Sequence, residues 1–142
     1  MDFFNVLIID DEKDFVETMV NRLTKRKINT TGVFSGEEAI DVMKKKQFDL
    51  VILDIKMPGG MDGIETLKEI KKIQPLSEVI LLTGHASVET SIEGMKLGAF
   101  DYVLKPITME ELLPKLEQAY ERKAVQDEKI RRARVKEALR YS

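Results

Sequence analysis

Residues 50–60 read Leu-Val-Ile-Leu-Asp-Ile-Lys-Met-Pro-Gly-Gly. The aliphatic run Leu50 to Leu53 is long enough for a buried strand and too short for a helix. It ends on Asp54, and the turn residues Met57-Pro58-Gly59-Gly60 predict a loop after it. Asp62 then stands where an N-cap belongs, before a helix carrying Ile64, Leu67 and Ile70 on one face. A buried strand, a loop and an amphipathic helix make one β-α unit.

The unit recurs on both sides. Upstream, the apolar, β-branched segment from Phe4 to Ile9 predicts a strand. Phe15, Met19 and Leu23, four apart with Val16 and Val20 beside them, predict a helix. Ile28 to Phe34 alternates weakly, as a less buried strand does, and Ser35-Gly-Glu-Glu38 has capping-box spacing ahead of Ala39, Ile40 and Met43. Downstream, Val79 to Leu82 predicts a fourth strand and Ser87 to Leu97 a helix stopped by Gly98. Phe100 to Leu104 predicts the fifth strand, and Thr108-Met-Glu-Glu111 caps a last helix through Leu112, Leu113 and Leu116. Five such units in a row predict an α/β fold with a parallel sheet covered by helices on both faces, because parallel strands need crossover connections. Ligands of such sheets bind at the carboxyl ends of the strands.

The residues at those ends therefore matter most. They are Asp10, Asp11 and Glu12 after strand 1, Asp54 after strand 3, Thr83, Gly84 and His85 after strand 4, and Lys105 and Pro106 after strand 5. Singly, each has an ordinary reading: Asp10 or Asp11 as a helix cap, Asp54 as a turn residue, Thr83 as an N-cap, Lys105 as a solvated cation. Together they put three carboxylates, a hydroxyl and an ammonium group into one crevice. Carboxylates crowded there repel, and a hard divalent cation such as Mg²⁺ relieves them while keeping waters for an incoming phosphate. A carboxylate beside the metal can then act as nucleophile and become an acyl phosphate, with lysine and hydroxyl groups neutralising the phosphoryl charge.

This arrangement resembles the receiver domain of two-component response regulators over about residues 4–120. The resemblance implies a flavodoxin-like doubly wound sheet of strand order 2-1-3-4-5, with Mg²⁺ as cofactor. It implies Asp54 as phosphoacceptor, Asp11 as a direct metal ligand, Asp10 as a ligand through water, and the backbone carbonyl of Lys56 completing the set. Thr83 matches the switch hydroxyl, Tyr102 the switch aromatic and Lys105 the family lysine, and the Lys105–Pro106 bond matches one that is cis in the family. Taken alone, Tyr102 reads as an aromatic packed near a strand end, and His85 as a surface loop residue. Expected partners are a sensor histidine kinase or phosphotransfer protein, and an output domain or downstream protein reached through the face of helix 4, strand 5 and helix 5. A homodimer is a further expectation. Such a domain catalyses only its own phosphorylation and dephosphorylation. Two departures stand out: the loop after Asp54 is one glycine longer than the commoner family spacing, and Pro114 lies inside the last helix, where it should kink or distort the turn.

Rival chemistries are disfavoured by composition. The 142 residues contain no cysteine and one histidine, which excludes thiolate chemistry and multi-histidine metal sites. A nucleotide- or flavin-binding module needs a phosphate-friendly first loop, and Asp-Asp-Glu would repel a bare phosphate. A haloacid-dehalogenase-like phosphatase would want an acid two residues after its nucleophile, where Lys56 stands. A degenerate receiver serving as a constitutive scaffold is the remaining alternative.

No apolar run approaches the roughly 20 residues that span a bilayer, and Met1-Asp2-Phe3 opens no signal pattern, so a cytoplasmic, non-membrane protein is expected. Net charge is −2. Residues 120–142 hold eight Lys/Arg and four Asp/Glu, leaving fifteen and twenty-one for the remainder. The expected division is a receiver domain over 1–120 and a C-terminal helical extension over 121–142, a linker or dimerisation helix with a broken heptad. The basic cluster Lys129 to Arg134 lies on one helix and does not constitute a nucleic-acid-binding fold.

Overall fold

The computed structural model describes residues 4–140, with His85 described by its backbone alone. Residues 1–3 and 141–142, which include the N-terminal segment read above for a signal pattern, lie outside the described residues. The elements alternate as β1 (Asn5–Ile9), α1 (Lys13–Lys25), β2 (Asn29–Val33), α2 (Gly36–Met43), β3 (Leu50–Asp54) and α3 (Gly63–Ile73). They continue as β4 (Glu78–Thr83), a 3-10 turn (His85–Ser87), α4 (Val88–Lys96), β5 (Asp101–Leu104) and α5 (Met109–Arg140). The strands pair in parallel in the order β2-β1-β3-β4-β5.

Strand alternation divides the core into two layers. Val6, Ile8, Leu50, Ile52, Ile80 and Leu82 face α1 and α5, where Val16, Met19, Leu23, Leu112 and Leu116 cover them. Leu7, Ile9, Val51, Leu53, Val79 and Leu81 face the other way and pack with residues such as Ala39, Met43, Leu67 and Ile70 of α2 and α3. Every residue of β3 and β4 is buried, which is why these strands read as unbroken apolar runs rather than alternating ones.

Helix starts follow the capping chemistry in part. Asp62 and Glu65 form a complete capping box on α3. Ser35 accepts the Glu38 N–H at 3.1 Å, but the Glu38 carboxylate reaches back to Phe34 N–H at 3.5 Å rather than to Ser35. Thr108 accepts the Glu111 N–H at 3.2 Å. Neither Asp10 nor Asp11 is the N-cap of α1; that position is Glu12. Thr83 is not an N-cap either, because a 3-10 turn intervenes and α4 begins at Val88, one residue later than the predicted Ser87. Gly98 follows α4 at φ 110°. The last helix runs unbroken through Pro114.

Two features hold the edge of the sheet opposite the strand ends considered above. Buried Gln74 is a bracket: its Nε2 donates to the carbonyls of Met43 (2.8 Å) and Lys46 (2.7 Å), and its Oε1 accepts from Phe48 N–H (2.9 Å) and Ser77 Oγ (3.0 Å). At the same edge, α5 is fixed where it leaves the body. Tyr120 packs edge-on to Phe4 with ring centroids 4.6 Å apart, Arg122 pairs with Glu78 at 3.2 Å, and Lys123 with Asp49 at 3.7 Å. Beyond this point Glu128 accepts from both Arg131 and Arg132, which hold its carboxyl down at about 2. Part of the basic cluster is thus paired within the helix.

Replacing Gln74 by leucine would leave two carbonyls and one amide of the bracket unsatisfied in a buried place. The expected cost is about 2–4 kcal/mol, seen as a lower urea midpoint at unchanged slope.

Candidate functional site

The parallel register brings the strand ends together. Ile9 pairs with Leu53, so Asp10 and Asp54 emerge side by side. Asp54 pairs with Leu82, and Thr83 with Leu104, so Thr83 and Lys105 follow in the same row. Backbone bonds continue the ladder one step beyond the strands: Ile55 N–H to Leu82 O at 2.9 Å and Lys105 N–H to Thr83 O at 2.8 Å. The Lys105–Pro106 peptide bond is cis.

Asp10, Asp11 and Asp54 each present a carboxylate oxygen, all within 4.8 Å of one another. Asp10 and Asp54 are buried and Asp11 is exposed. The Lys105 ammonium lies 2.8 Å from Asp10 Oδ2, 3.4 Å from Glu12 Oε1 and 3.6 Å from Asp54 Oδ2, and 5.1 Å from the centre of the Phe15 ring. Asp10 Oδ1 accepts the Glu12 N–H at 3.0 Å, and Asp54 Oδ1 accepts the Lys56 N–H at 3.3 Å. Thr83 is buried, and its hydroxyl donates to the Gly84 carbonyl at 3.1 Å.

Burial dominates the electrostatics. Desolvation and then the Asp10 charge push the Asp54 carboxyl up to about 6, against the attraction of Lys105. Desolvation also raises Asp10, partly offset by its hydrogen bond from Lys105. Burial alone would lower Lys105, but the hydrogen bond to Asp10 and the charges of Asp54, Asp10 and Glu12 outweigh it, and its pKa is raised. One ammonium does not balance this much carboxylate. Hard oxygen donors on two strand ends with uncompensated negative charge suit a divalent cation such as Mg²⁺, so the residues present fit the ion.

The other residues singled out in the sequence lie around this cluster. Lys56 follows Asp54 at an exposed position. Tyr102 is half-buried on β5 against the α2–α3 side of the core, and its carbonyl accepts from Lys115 Nζ at 2.8 Å. His85 opens the 3-10 turn after Thr83. The sequence placed Glu12 at a strand end without giving it a role, and it did not single out Phe15 as a site residue. Glu12 stands in the acidic run, where its place beside Lys105 could have been inferred; Phe15 reads only as one member of an apolar helix face.

A family model described as response regulator receiver domain matches residues 6–117. The chain belongs to this family, and it is the receiver domain of a two-component response regulator. It is 37% identical over 115 residues to the transcriptional regulatory protein ZraR of Salmonella typhimurium, covering 81% of this chain and 26% of that protein. The chain thus spans about a quarter of the curated relatives it matches. The solved receiver domain of NtrX from Brucella abortus superposes with a TM-score of 0.78 at 32% identity, covering 82% of this chain and 98% of that one. A structure titled adenylate cyclase from Rhodopirellula baltica superposes with a TM-score of 0.87 at 26% identity, covering 92% and 96% respectively.

The raised Asp54 pKa has a definite sign for stability. Between about pH 4 and 6 the folded protein binds a proton that the unfolded chain has released, so this group makes stability fall as pH rises through that window. Asp54→Asn is therefore expected to stabilise the metal-free protein at pH 7.5 by about 1–3 kcal/mol. It should also flatten the decline between about pH 4 and 6, leaving the share due to Asp10. Urea denaturation in EDTA across pH reads both; a profile unchanged by the substitution would contradict the burial argument.

Proposed function

We propose that this receiver domain accepts a phosphoryl group on Asp54 in a Mg²⁺-dependent reaction and passes the change to an output domain or partner protein. The observation that carries the reading is the convergence of Asp10, Asp11 and Asp54 carboxylate oxygens within 4.8 Å of one another, with the Lys105 ammonium beside Asp10 and Asp54. In the transfer, an Asp54 carboxylate oxygen forms a bond to phosphorus. The donor's P–N or P–O bond breaks, and its imidazole or carboxylate departs with the bonding electrons. Asp10, Asp11, Asp54 and the Lys56 carbonyl would hold Mg²⁺, which when bound supplies positive charge at the transferring phosphoryl oxygens.

Lys105, freed in part from Asp10, would pair with a phosphoryl oxygen, and Thr83 would turn its hydroxyl from the Gly84 carbonyl toward another. Tyr102 would follow inward, changing what the α4-β5-α5 face binds; this biases an existing equilibrium by a few kcal/mol of differential contact. The phosphodonor would be a histidine kinase or phosphotransfer protein. The only catalysis in this reading is the domain's own phosphorylation and dephosphorylation.

Incubation with acetyl phosphate and Mg²⁺ is expected to add about 80 Da to the intact mass, with no adduct in Asp54→Ala or in EDTA. Lys105→Ala is expected to slow labelling by roughly tenfold or more through loss of a phosphoryl counter-charge. If the parent takes no adduct and beryllofluoride does not bind, the site is a scaffold and the phosphoacceptor reading is wrong.

A further inference from the structure

The loop between Asp54 and α3 carries two consecutive glycines, and the fold braces it from a distance. Gly59 and Gly60 adopt φ of 73° and 66°, the left-handed region that favours glycine. Gly59 has nothing within 4 Å of where a side chain would begin. The loop is tied at its start by buried Met57 and at its end by the Asp62–Glu65 capping box. Gly63 then lies so close to the Asp54–Ile55 backbone that a Cβ there would sit 2.7 Å from the Asp54 carbonyl oxygen. Between those ends the tie comes from α2: the Glu37 carboxylate accepts the Met61 N–H at 3.1 Å. The same carboxylate packs against Gly60, where an added Cβ would collide with it.

We propose that Glu37 is a positioning residue for this loop. By holding the Met61 N–H it fixes the path from Lys56 to Asp62 and thereby sets how tightly the acidic site binds a divalent cation. The inference rests on the proposed function, in which the Lys56 carbonyl is one of the cation's ligands. A small, hard cation tolerates little displacement of its ligands, and two consecutive glycines would otherwise leave this loop free to move. Two adjacent left-handed glycines leave the loop in need of an external tie; Glu37, on the first turn of α2, reaches across to supply it.

The test is a Mg²⁺ titration of the full chain followed by the amide resonances of residues 54–57, with exchange of the Met61 amide measured in parallel. Glu37→Ala and Gly60→Ala are each expected to raise the Mg²⁺ dissociation constant by roughly three- to tenfold, the worth of one such hydrogen bond. Both should speed Met61 exchange; the metal-free urea midpoint should fall only slightly in Glu37→Ala and further in Gly60→Ala, where alanine is strained at the left-handed φ of Gly60. The double variant should be no weaker than the weaker single, because both changes remove the same contact. Glu37→Gln, which keeps an acceptor, should fall closer to the parent. Parental Mg²⁺ affinity in Glu37→Ala, or additive effects in the double variant, would overturn the role of Glu37. A parent that binds no Mg²⁺ would instead overturn the cation site itself, and this inference with it.

Discussion

One ammonium group, Nζ of Lys105, stands within 4 Å of Asp10, Glu12 and Asp54, and the strand-end architecture is organised around that imbalance. Two of the carboxylates are buried with more negative charge than the lysine neutralises. Opposite charges in such a place compensate only with close geometry. Here the geometry is supplied by backbone: the parallel register sets Asp10 beside Asp54, and the bond from Lys105 N–H to Thr83 O sets the lysine's base. The sheet behaves as a frame that keeps mutually repelling groups together without relaxing them apart. A site kept short of positive charge is prepared to bind it.

Much of this was legible in the sequence because burial on both faces of β3 and β4 leaves an unmistakable apolar run, and each run ends on a residue of the strand-end site. The placing of Asp10, Asp54, Thr83 and Lys105 followed from one rule about parallel sheets, whereas the strand order came only with the family resemblance. What was not legible depends on side chains meeting across elements. Phe15 under Lys105, and Glu37 reaching the loop after Asp54, involve residues whose local pattern says only helix face or helix first turn. Gln74 is the extreme case: a polar residue at the end of α3 makes contacts 26 to 31 positions away in the chain, which no local periodicity encodes.

Local capping chemistry was intermediate. Asp62 capped as its spacing required, whereas Ser35 did so with a shifted return bond. Asp10 and Asp11 had the composition of caps and were withheld from that use. For Asp10 the difference lies in competition: its carboxylate is held by Lys105 and by the Glu12 N–H, and the helix start falls to Glu12.

The clamp of Tyr120, Arg122 and Lys123 gives α5 a mechanical character. Ala119 is the last buried residue of that helix. The stretch from there to Arg140 is about 30 Å of rod at 1.5 Å per residue. A rod anchored at one end converts rotation into displacement: a tilt of about 10° at the clamp moves its tip by about 5 Å over that length. A small repacking in the body, too slight to see as a change of fold, becomes at Arg140 a shift comparable to one turn of helix.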